Sequence, residues 1–313
     1  MNSYLIEPSP HIRSTMTTQK VMLHVIIALC PAVIAGTVIF GLRALLLCVL
    51  CPTFCVLSEM IFNKITKRPQ TIYDLSAIVT GILLALNLPA TLPIYMAAIG
   101  SVVAIVIVKQ FFGGIGQNFA NPAITARIVL MLSFTSYMTT WVKPFWYTEG
   151  TADAMTTATP LAMESGLPSY LDMFLGLRGG CIGETCAAAL LLGGIYLTIL
   201  GIINPITPVV FVGTVGICTW FAGGDVLMEI LSGGLLLGAI FMATDYATTP
   251  ITWKGKLIFA IGCGLITVVI RNFGTYPEGV SYSILIMNIL TPQIDKITKP
   301  KPFGVKKEAK QKC

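Results

Sequence analysis

The chain has 313 residues, of which 55% are hydrophobic and only 11% charged, and its formal net charge is +6. Soluble domains carry about 25% charged residues, so this composition excludes an ordinary soluble enzyme and predicts an integral membrane protein. The positive charge does not predict a nucleic-acid partner, because seven of the twenty Lys and Arg residues fall within the last eighteen residues.

Ten hydrophobic runs follow one another along the chain. A spanning helix needs roughly 20 apolar residues. Although the seventh, ninth and tenth runs are short, the pattern predicts an all-α polytopic membrane protein with about ten transmembrane helices. The runs are 21–40, 44–62, 72–88, 93–108, 123–138, 183–203, 208–221, 226–244, 257–270 and 279–290.

The runs form two groups of five. Because five is odd, the second group begins on the opposite side of the membrane from the first, which is the condition for an inverted repeat. Gly- and Leu-rich sequences after Asp74 and Asp225, in the third and eighth runs, favour such a repeat, although Gly and Leu are common in any membrane helix. The predicted organisation is an N-terminal segment 1–20, a first half 21–142, a loop 143–182, a second half 183–292 and a basic tail 293–313.

The distribution of basic residues predicts the orientation, since cytoplasmic segments carry an excess of Lys and Arg. With a cytoplasmic N-terminus, sixteen of the twenty basic residues lie on the cytoplasmic side. The other four are Arg43, Lys143, Arg178 and Arg271. We therefore expect both termini in the cytoplasm and the loop 143–182 outside.

Two segments between runs, 113–123 and 243–250, are rich in turn formers and polar side chains. Glycine lets the backbone approach a ligand closely, and Asn121 and Thr249 are suited to cap the helices that follow. Two interpretations stay open: the segments are the walls of a cofactor or ion site between the halves, or they are tight connections explained by turn chemistry. The candidate cofactor-binding residues are Asn118, Asn121, Asp245 and, one turn into the fifth run, Arg127.

Few ionisable residues occur within the hydrophobic runs. Glu59, Asp74, Arg127, Glu229 and Asp245 all lie within about two helical turns of the end of a run, where such side chains can reach the interface or cap a helix. We therefore expect no relay of carboxylates through the centre of this chain.

The cysteines predict no metal site. Cys48, Cys51 and Cys55 share a helix face, which is compatible with the start of an iron–sulfur site, but buried cysteine also serves as a small apolar residue and packing is the favoured interpretation. A disulfide between Cys181 and Cys186 is compatible with their spacing but not demanded by it. No catalytic residue is predicted either.

Four sequence features together resemble the RnfD/NqrB family. RnfD proteins are membrane components of the Rnf complexes, and the more distantly similar NqrB proteins belong to the sodium-translocating NADH:quinone reductase. The match covers nearly the whole chain, and the combination is specific although no single piece would be. The features are Ser9-Pro10-His11, Gly-Gly-x-Gly-Gln-Asn-x-x-Asn-Pro-Ala at 113–123, Ala-Thr-Pro-Leu-Ala at 158–162, and Phe-Met-Ala-Thr-Asp-Tyr at 241–246 with Thr-Thr-Pro at 248–250.

In that family the threonine of a Ser-Gly-Ala-Thr-like sequence carries FMN through a phosphoester bond, so the resemblance implies covalent FMN on Thr159. Here Thr156 and Thr157 replace the usual Ser or Asp and the Gly, and both stay as alternative acceptors. Lys143 or Arg178 is suited to pair with the phosphate charge. The resemblance is also compatible with riboflavin as a second, noncovalent flavin.

The resemblance implies a membrane subunit of an ion-translocating ferredoxin:NAD⁺ oxidoreductase in a bacterial cytoplasmic membrane. Its contribution is a flavin relay and a part in the Na⁺ or H⁺ path. The implied partners are the other membrane and peripheral subunits of the Rnf complex and a flavin-attaching enzyme. The alternative is a channel or transporter for a small neutral solute with inverted repeats and no redox role, and a third interpretation is a structural membrane anchor.

Overall fold

The computed structural model describes residues 16–148, 156–157, 161, 168–274 and 279–300. Within these ranges the regular secondary structure is helical apart from one short pair of antiparallel strands, and each of the ten predicted runs contains a helix. The helices are α1 Thr18–Phe40, α2 Leu42–Ile65, α3 Ser76–Leu86, α4 Ile94–Val102, α5 Pro122–Ser133, α6 Thr135–Met138, α7 Tyr170–Leu175, α8 Ala187–Ile199, α9 Ile206–Phe221, α10 Val226–Leu231, α11 Leu235–Leu237, α12 Trp253–Phe273 and α13 Val280–Thr298.

Three of these helices, α1, α2 and α12, are long and apolar enough to cross a membrane. Shorter apolar helices, among them α3, α5, α8 and α9, fill the space around them. This arrangement confirms the prediction of an all-α polytopic membrane protein. The inverted relation between two five-helix halves stays a prediction.

The eighth hydrophobic run does not form the continuous helix that its composition predicts. Helix α10 ends at Leu231, and a new helix begins only at Leu235 and continues as a π-helical segment, Gly238–Met242. The break falls at Gly233 and Gly234, whose φ angles of 61° and 68° are left-handed. Two consecutive residues with left-handed φ angles end a right-handed helix, and only glycine adopts this conformation at little cost.

The fourth and fifth runs also depart from simple helices. Helix α4 passes directly into a second π-helical segment, Val103–Gln110, and π-helical turns often mark functional sites. Helix α5 ends at Ser133 rather than near residue 138, and a separate turn of helix, α6, follows it.

The final part of the predicted loop is not a surface segment. Residues 178–185 are buried and irregular, and they lie along the end of α3, where the N–H of Ile182 donates to the carbonyl of Leu88 (3.1 Å) and that of Gly183 donates to Leu86 (2.8 Å). Irregular backbone at membrane depth is tolerated only where protein satisfies its polar groups. The same segment carries Cys181, which forms no disulfide with Cys186.

Helix α2 buries Cys48, Cys51 and Cys55 on one face. Across the described ranges, no group of three or more His, Cys, Asp and Glu side chains is arranged to hold a metal ion. Cys48 and Cys51 belong to the main hydrophobic core, in keeping with the packing interpretation. Beside them the backbone of α2 lies close to α3, because Pro52 faces Gly81.

The contact between Gly81 and α2 generates a stability prediction. A Cβ atom added to Gly81 would lie 2.9 Å from the carbonyl carbon of Cys51 and nearer still to Pro52, whereas one added to Gly213 meets nothing within 4 Å. We expect Gly81→Ala to lower the free energy of unfolding by about 1–3 kcal/mol through overpacking. Gly213→Ala is the matched control, and it should leave stability unchanged or slightly raise it because alanine favours helix.

Thermal unfolding of the two purified variants in detergent measures this difference. Equal melting temperatures for Gly81→Ala and Gly213→Ala would show that α2 and α3 do not pack as closely as described.

Candidate functional site

A cavity of about 620 Å³ opens at the end of the bundle where α1 begins. Its walls combine the two segments that stood out in the sequence, because Asn118, Asn121 and residues 244–247 all line it. Ser76 and Lys109 line it as well. A volume of this size lies in the range of sites that bind small organic ligands.

The first wall is shaped by glycines and closed by an asparagine cap. Gly113, Gly114 and Gly116 have φ angles of 121°, 101° and 83°, which glycine adopts readily. The Oδ1 atom of Asn121 accepts hydrogen bonds from the first free amides of α5, and its Nδ2 donates to the carbonyl of Met242 at 3.4 Å. Asn121 therefore confirms the predicted cap and also links the two walls.

The second wall is organised by Asp245. Oδ2 of its carboxylate accepts a hydrogen bond from the hydroxyl of Thr248 at 3.2 Å. The predicted cap at Thr249 is wrong, because its hydroxyl donates to the carbonyl of Asp245 and the cap of α12 is Thr252, whose Oγ1 accepts from the amide of Gly255. The chain needs one more turn after Pro250 before α12 can begin.

A buried ion pair extends the cavity toward α2. The Nζ atom of Lys109 lies 3.0 Å from Oε2 of Glu59 and donates to Oγ of Ser76 at 2.6 Å. Oε1 of Glu59 accepts from Thr71 (2.5 Å) and Gln110 (2.9 Å). We call these five residues the Glu59 cluster. Two of them, Ser76 and Lys109, line the cavity, so the cluster connects it with a fully buried carboxylate.

A second buried cluster surrounds Arg127. Its Nη1 donates to Oε1 of Glu184 (2.6 Å) and to Oδ1 of Asn87 (2.7 Å), and its Nη2 donates to Sγ of Cys181 (3.5 Å). Arg178 donates to the backbone carbonyl of Glu184 at 2.9 Å. These five residues, the Arg127 cluster, combine two cations with one carboxylate away from the cavity.

The C-terminal end of α1 contacts the first residues of the loop 143–182. The N–H of Phe145 donates to the carbonyl of Ile39 (2.9 Å), and the hydroxyl of Tyr147 donates to that of Val38 (2.8 Å). Helix α1 thus begins at the cavity and ends at the loop. With 23 residues and a rise of 1.5 Å per residue, it separates the two places by roughly 34 Å.

Two strands hold the threonine-rich part of the loop. Strand β1 (Trp141–Val142) pairs with β2 (Thr156–Thr157), so that Trp141 faces Thr157 and Val142 faces Thr156. Lys143 follows β1 directly and is exposed. Thr159 itself lies outside the described residues.

Further along the loop, Leu161 reaches the break before α11, and α7 reaches the start of α10. A Cβ atom on Gly233 would lie 2.8 Å from Cδ1 of Leu161 and 2.8 Å from Nη2 of Arg271, so these two side chains are neighbours. The hydroxyl of Tyr170 donates to Oδ2 of Asp225 at 2.6 Å. That hydrogen bond lowers the pKa of Asp225 and raises the pKa of Tyr170.

The structure divides the candidate residues among three places. At the cavity lie Asn118, Asn121 and Asp245; in the Arg127 cluster lie Arg127 and Arg178; at the loop end lie Lys143 and the backbone of Thr157. Arg178 is buried and faces Glu184 rather than the surface of the loop.

Sequence reasoning missed the two buried ion pairs. Glu59 and Arg127 lie near the ends of runs, where side chains can reach the interface or cap a helix, but they are only 0% and 3% exposed and pair with Lys109 and Glu184 instead. The signal was present in the sequence, since an ionisable residue inside an apolar run requires a partner. What the sequence could not supply was the packing that brings distant residues together.

Comparison with known proteins gives a consistent result. The model of the NQR2, RnfD, RnfE family matches residues 5–304. The D subunit of the Na(+)-translocating ferredoxin:NAD(+) oxidoreductase complex of Acetobacterium woodii is 50% identical over 97% of this chain and 98% of its own length.

Two other relatives carry related names. The D subunit of the proton-translocating ferredoxin:NAD(+) oxidoreductase complex of Clostridium ljungdahlii is 45% identical over 98% of both chains. The D subunit of the ion-translocating oxidoreductase complex of Stutzerimonas stutzeri is 39% identical over 94% of this chain and 93% of its own.

Proposed function

The chain belongs to the NQR2, RnfD, RnfE family, and on that basis we propose that it is a membrane subunit of an ion-translocating ferredoxin:NAD⁺ oxidoreductase complex. Similarity over 97% of its length to a protein named for such a complex carries this proposal. In the proposed complex, other subunits bind ferredoxin and NAD⁺, and this chain holds flavin and contributes to the ion path.

Covalent FMN on Thr159 is the first part of the proposed role. The segment 158–160 lies between two anchored positions, because β2 is paired with β1 on one side and Leu161 lies beside Gly233 on the other. A phosphoester needs only a hydroxyl group at this place. The flavin supplies the electron-transfer chemistry, while the chain supplies its position and electrostatic surroundings.

Replacement of the proposed acceptor tests the attachment. When the protein is coexpressed with its flavin-attaching enzyme, a denaturing gel of the wild type should show a fluorescent band. Thr159→Ala should abolish the band because no hydroxyl remains to form the ester, and Thr157→Ala, the matched control, should keep it. A dark wild-type band would contradict the flavin-carrier role and favour the channel or transporter alternative.

A second, noncovalent flavin in the cavity is the next part. The cavity is large enough for a small organic ligand, and apolar side chains such as Leu83 and Phe241 line it beside Asn118, Asn121 and Asp245. Amide and carboxylate groups can pair with the polar edge of an isoalloxazine ring, and the apolar walls suit its faces. The chemistry of the lining therefore fits riboflavin.

Asn118→Ala tests this binding site, because it removes polar atoms at the cavity without removing the cap of α5. We expect the Kd for added riboflavin to rise about tenfold, as for the loss of one hydrogen bond of about 1.4 kcal/mol. Fluorescence titration of the purified protein measures the Kd. Thr198→Val is the control, because the hydroxyl of Thr198 donates to the carbonyl of Gly194 outside this cavity. Equal Kd values for Asn118→Ala and wild type would exclude flavin from this cavity.

The Glu59 cluster is the proposed part of the ion path. A cation that leaves the cavity meets Ser76 and Lys109 before it reaches the carboxylate of Glu59. It must compete there with the ammonium group of Lys109, which already neutralises that carboxylate. The site therefore accepts a second cation only if Lys109 releases a proton as that cation binds, because a buried ammonium group left without its counter-ion would be costly.

Glu59→Gln tests the ion path, because it keeps the size of the side chain and removes its charge. In proteoliposomes that contain the whole complex, we expect coupled uptake of Na⁺ or H⁺ to fall roughly tenfold, equivalent to about 1.4 kcal/mol of cation binding. The amount of assembled complex is measured in parallel. Glu229→Gln is the control at the loop end. Normal coupled uptake by assembled Glu59→Gln complex would remove Glu59 from the path.

A further inference from the structure

A groove of about 570 Å³ is lined mainly by apolar side chains of α8 and α9. Its residues on α8 recur at intervals of three and four positions from Leu191 to Ile199, so they form one stripe of that helix. Ile195 and Val209, which belong to the groove, are 56% and 67% exposed. An exposed apolar surface of this kind on a membrane protein is suited to contact hydrocarbon chains.

The length of the groove is close to half the thickness of a bilayer. With a rise of 1.5 Å per residue, the stripe from Leu191 to Ile199 extends roughly 12 Å along α8. Half of a hydrocarbon core of about 30 Å is about 15 Å. The groove therefore has the length of an acyl chain that lies within one leaflet.

A polar pocket of about 500 Å³ continues the groove. Thr198, Ile203 and Pro205 line both, so the two openings form one continuous surface. The pocket lies at the end of the bundle where the cavity opens, because Tyr246 and Thr249 line both the pocket and the cavity. This end is predicted to face the cytoplasm, and the cytoplasmic leaflet is the one that carries anionic lipids.

The charge of the pocket favours an anion. Among the described residues, Lys256 is the one charged residue that lines it, whereas the carboxylates of Asp245 and Asp295 line the neighbouring cavity only. No described carboxylate forms an ion pair with Lys256. The first turn of α12 contains both Lys254 and Lys256 and no acidic residue. These lysines therefore add to the positive end of the helix dipole instead of offsetting it.

A buried hydroxyl in the same pocket lacks a hydrogen-bond partner. Thr207, in the first turn of α9, is only 3% exposed and lines the pocket, and its hydroxyl makes no hydrogen bond to any residue that the structure describes. The amide of Ile206 beside it is already satisfied by Oδ1 of Asn204 (3.0 Å). A buried hydroxyl without a partner is costly. A phosphate oxygen can accept its proton and also pair with Lys256.

We propose that a phospholipid with an anionic headgroup binds to this surface, with one acyl chain in the groove and its phosphate at Lys256 and Thr207. A transmembrane helix of another subunit fits the apolar groove but brings no anion to the polar pocket. A free phosphate ion fits the pocket but leaves the groove unfilled. One phospholipid molecule satisfies both parts, and its charge offsets the positive helix ends of α9 and α12.

Native mass spectrometry of the full-length chain in detergent measures the Kd of added phosphatidylglycerol and of phosphatidylcholine with the same acyl chains. We expect the wild type to bind the anionic phosphatidylglycerol more tightly. Lys256→Gln should raise the Kd for phosphatidylglycerol about fivefold, the contribution of one lysine to binding an anionic lipid, and leave that for phosphatidylcholine unchanged. Lys64→Gln is the matched control, because it removes the same charge from an exposed position in the last turn of α2, and it should change neither Kd.

Gly213→Leu tests the groove, because Gly213 lines it and a Cβ atom added there meets nothing within 4 Å. Leucine also favours helix over glycine, so the side chain should occupy the groove while α9 stays intact. We expect the Kd for both lipids to rise about tenfold, since the acyl chain loses apolar contact. Ile217→Phe is the control, because it adds bulk at an exposed position of α9 outside the groove, and it should leave both Kd values unchanged.

Equal Kd values for the two lipids in the wild type, or equal effects of Lys256→Gln and Lys64→Gln, would overturn the proposal by showing that no anionic headgroup is recognised. An unchanged Kd in Gly213→Leu would overturn it as well. In that case, a lower yield of assembled complex in Gly213→Leu assigns the groove to a helix of another subunit, and displacement of the lipid by inorganic phosphate assigns the pocket to free phosphate. If Gly213→Leu does not accumulate, the comparison of Lys256→Gln with Lys64→Gln decides.

Discussion

The buried ion pair between Arg127 and Glu184 holds together the irregular parts of this membrane protein. It joins α5 to the segment 178–185, and through Asn87 it also reaches the end of α3. Gly234, at the break before α11, packs directly against the Glu184 carboxylate. Removing one partner from such a pair costs about 3–5 kcal/mol, so these elements depend on one another for their position.

The same principle organises the end of the bundle at which the cavity opens. A chain that interrupts its helices inside a membrane must satisfy the freed backbone groups with its own side chains. Asn121 does so for the start of α5 and for Met242, and Thr252 does so for α12. The cavity exists because two helices end there, and its polar lining consists largely of the groups that make those ends stable.

Hydropathy predicted the membrane class and the positions of the ten hydrophobic runs, each of which contains a helix. It could do so because segments that cross a membrane are long and consistently apolar in composition. It did not predict the interruption at Gly233 and Gly234, since the eighth run is apolar on both sides of it. The cap at Asn121 was predicted correctly from local chemistry. The pairing of Glu59 with Lys109 was not, because it joins residues that lie on different helices and depends on how those helices pack.

The path of residues 178–185 has a mechanical consequence. This segment donates backbone hydrogen bonds to the end of α3, and its Glu184 forms an ion pair with Arg127 of α5. The Glu184 carboxylate also packs against Gly234, just before α11. A large rotation of one predicted five-helix half against the other, as in rocking transporters, would break these contacts inside a membrane, which offers no other hydrogen-bonding partners. Any movement in this part of the chain is therefore expected at the short interruptions of individual helices, while the surrounding helices stay fixed relative to one another.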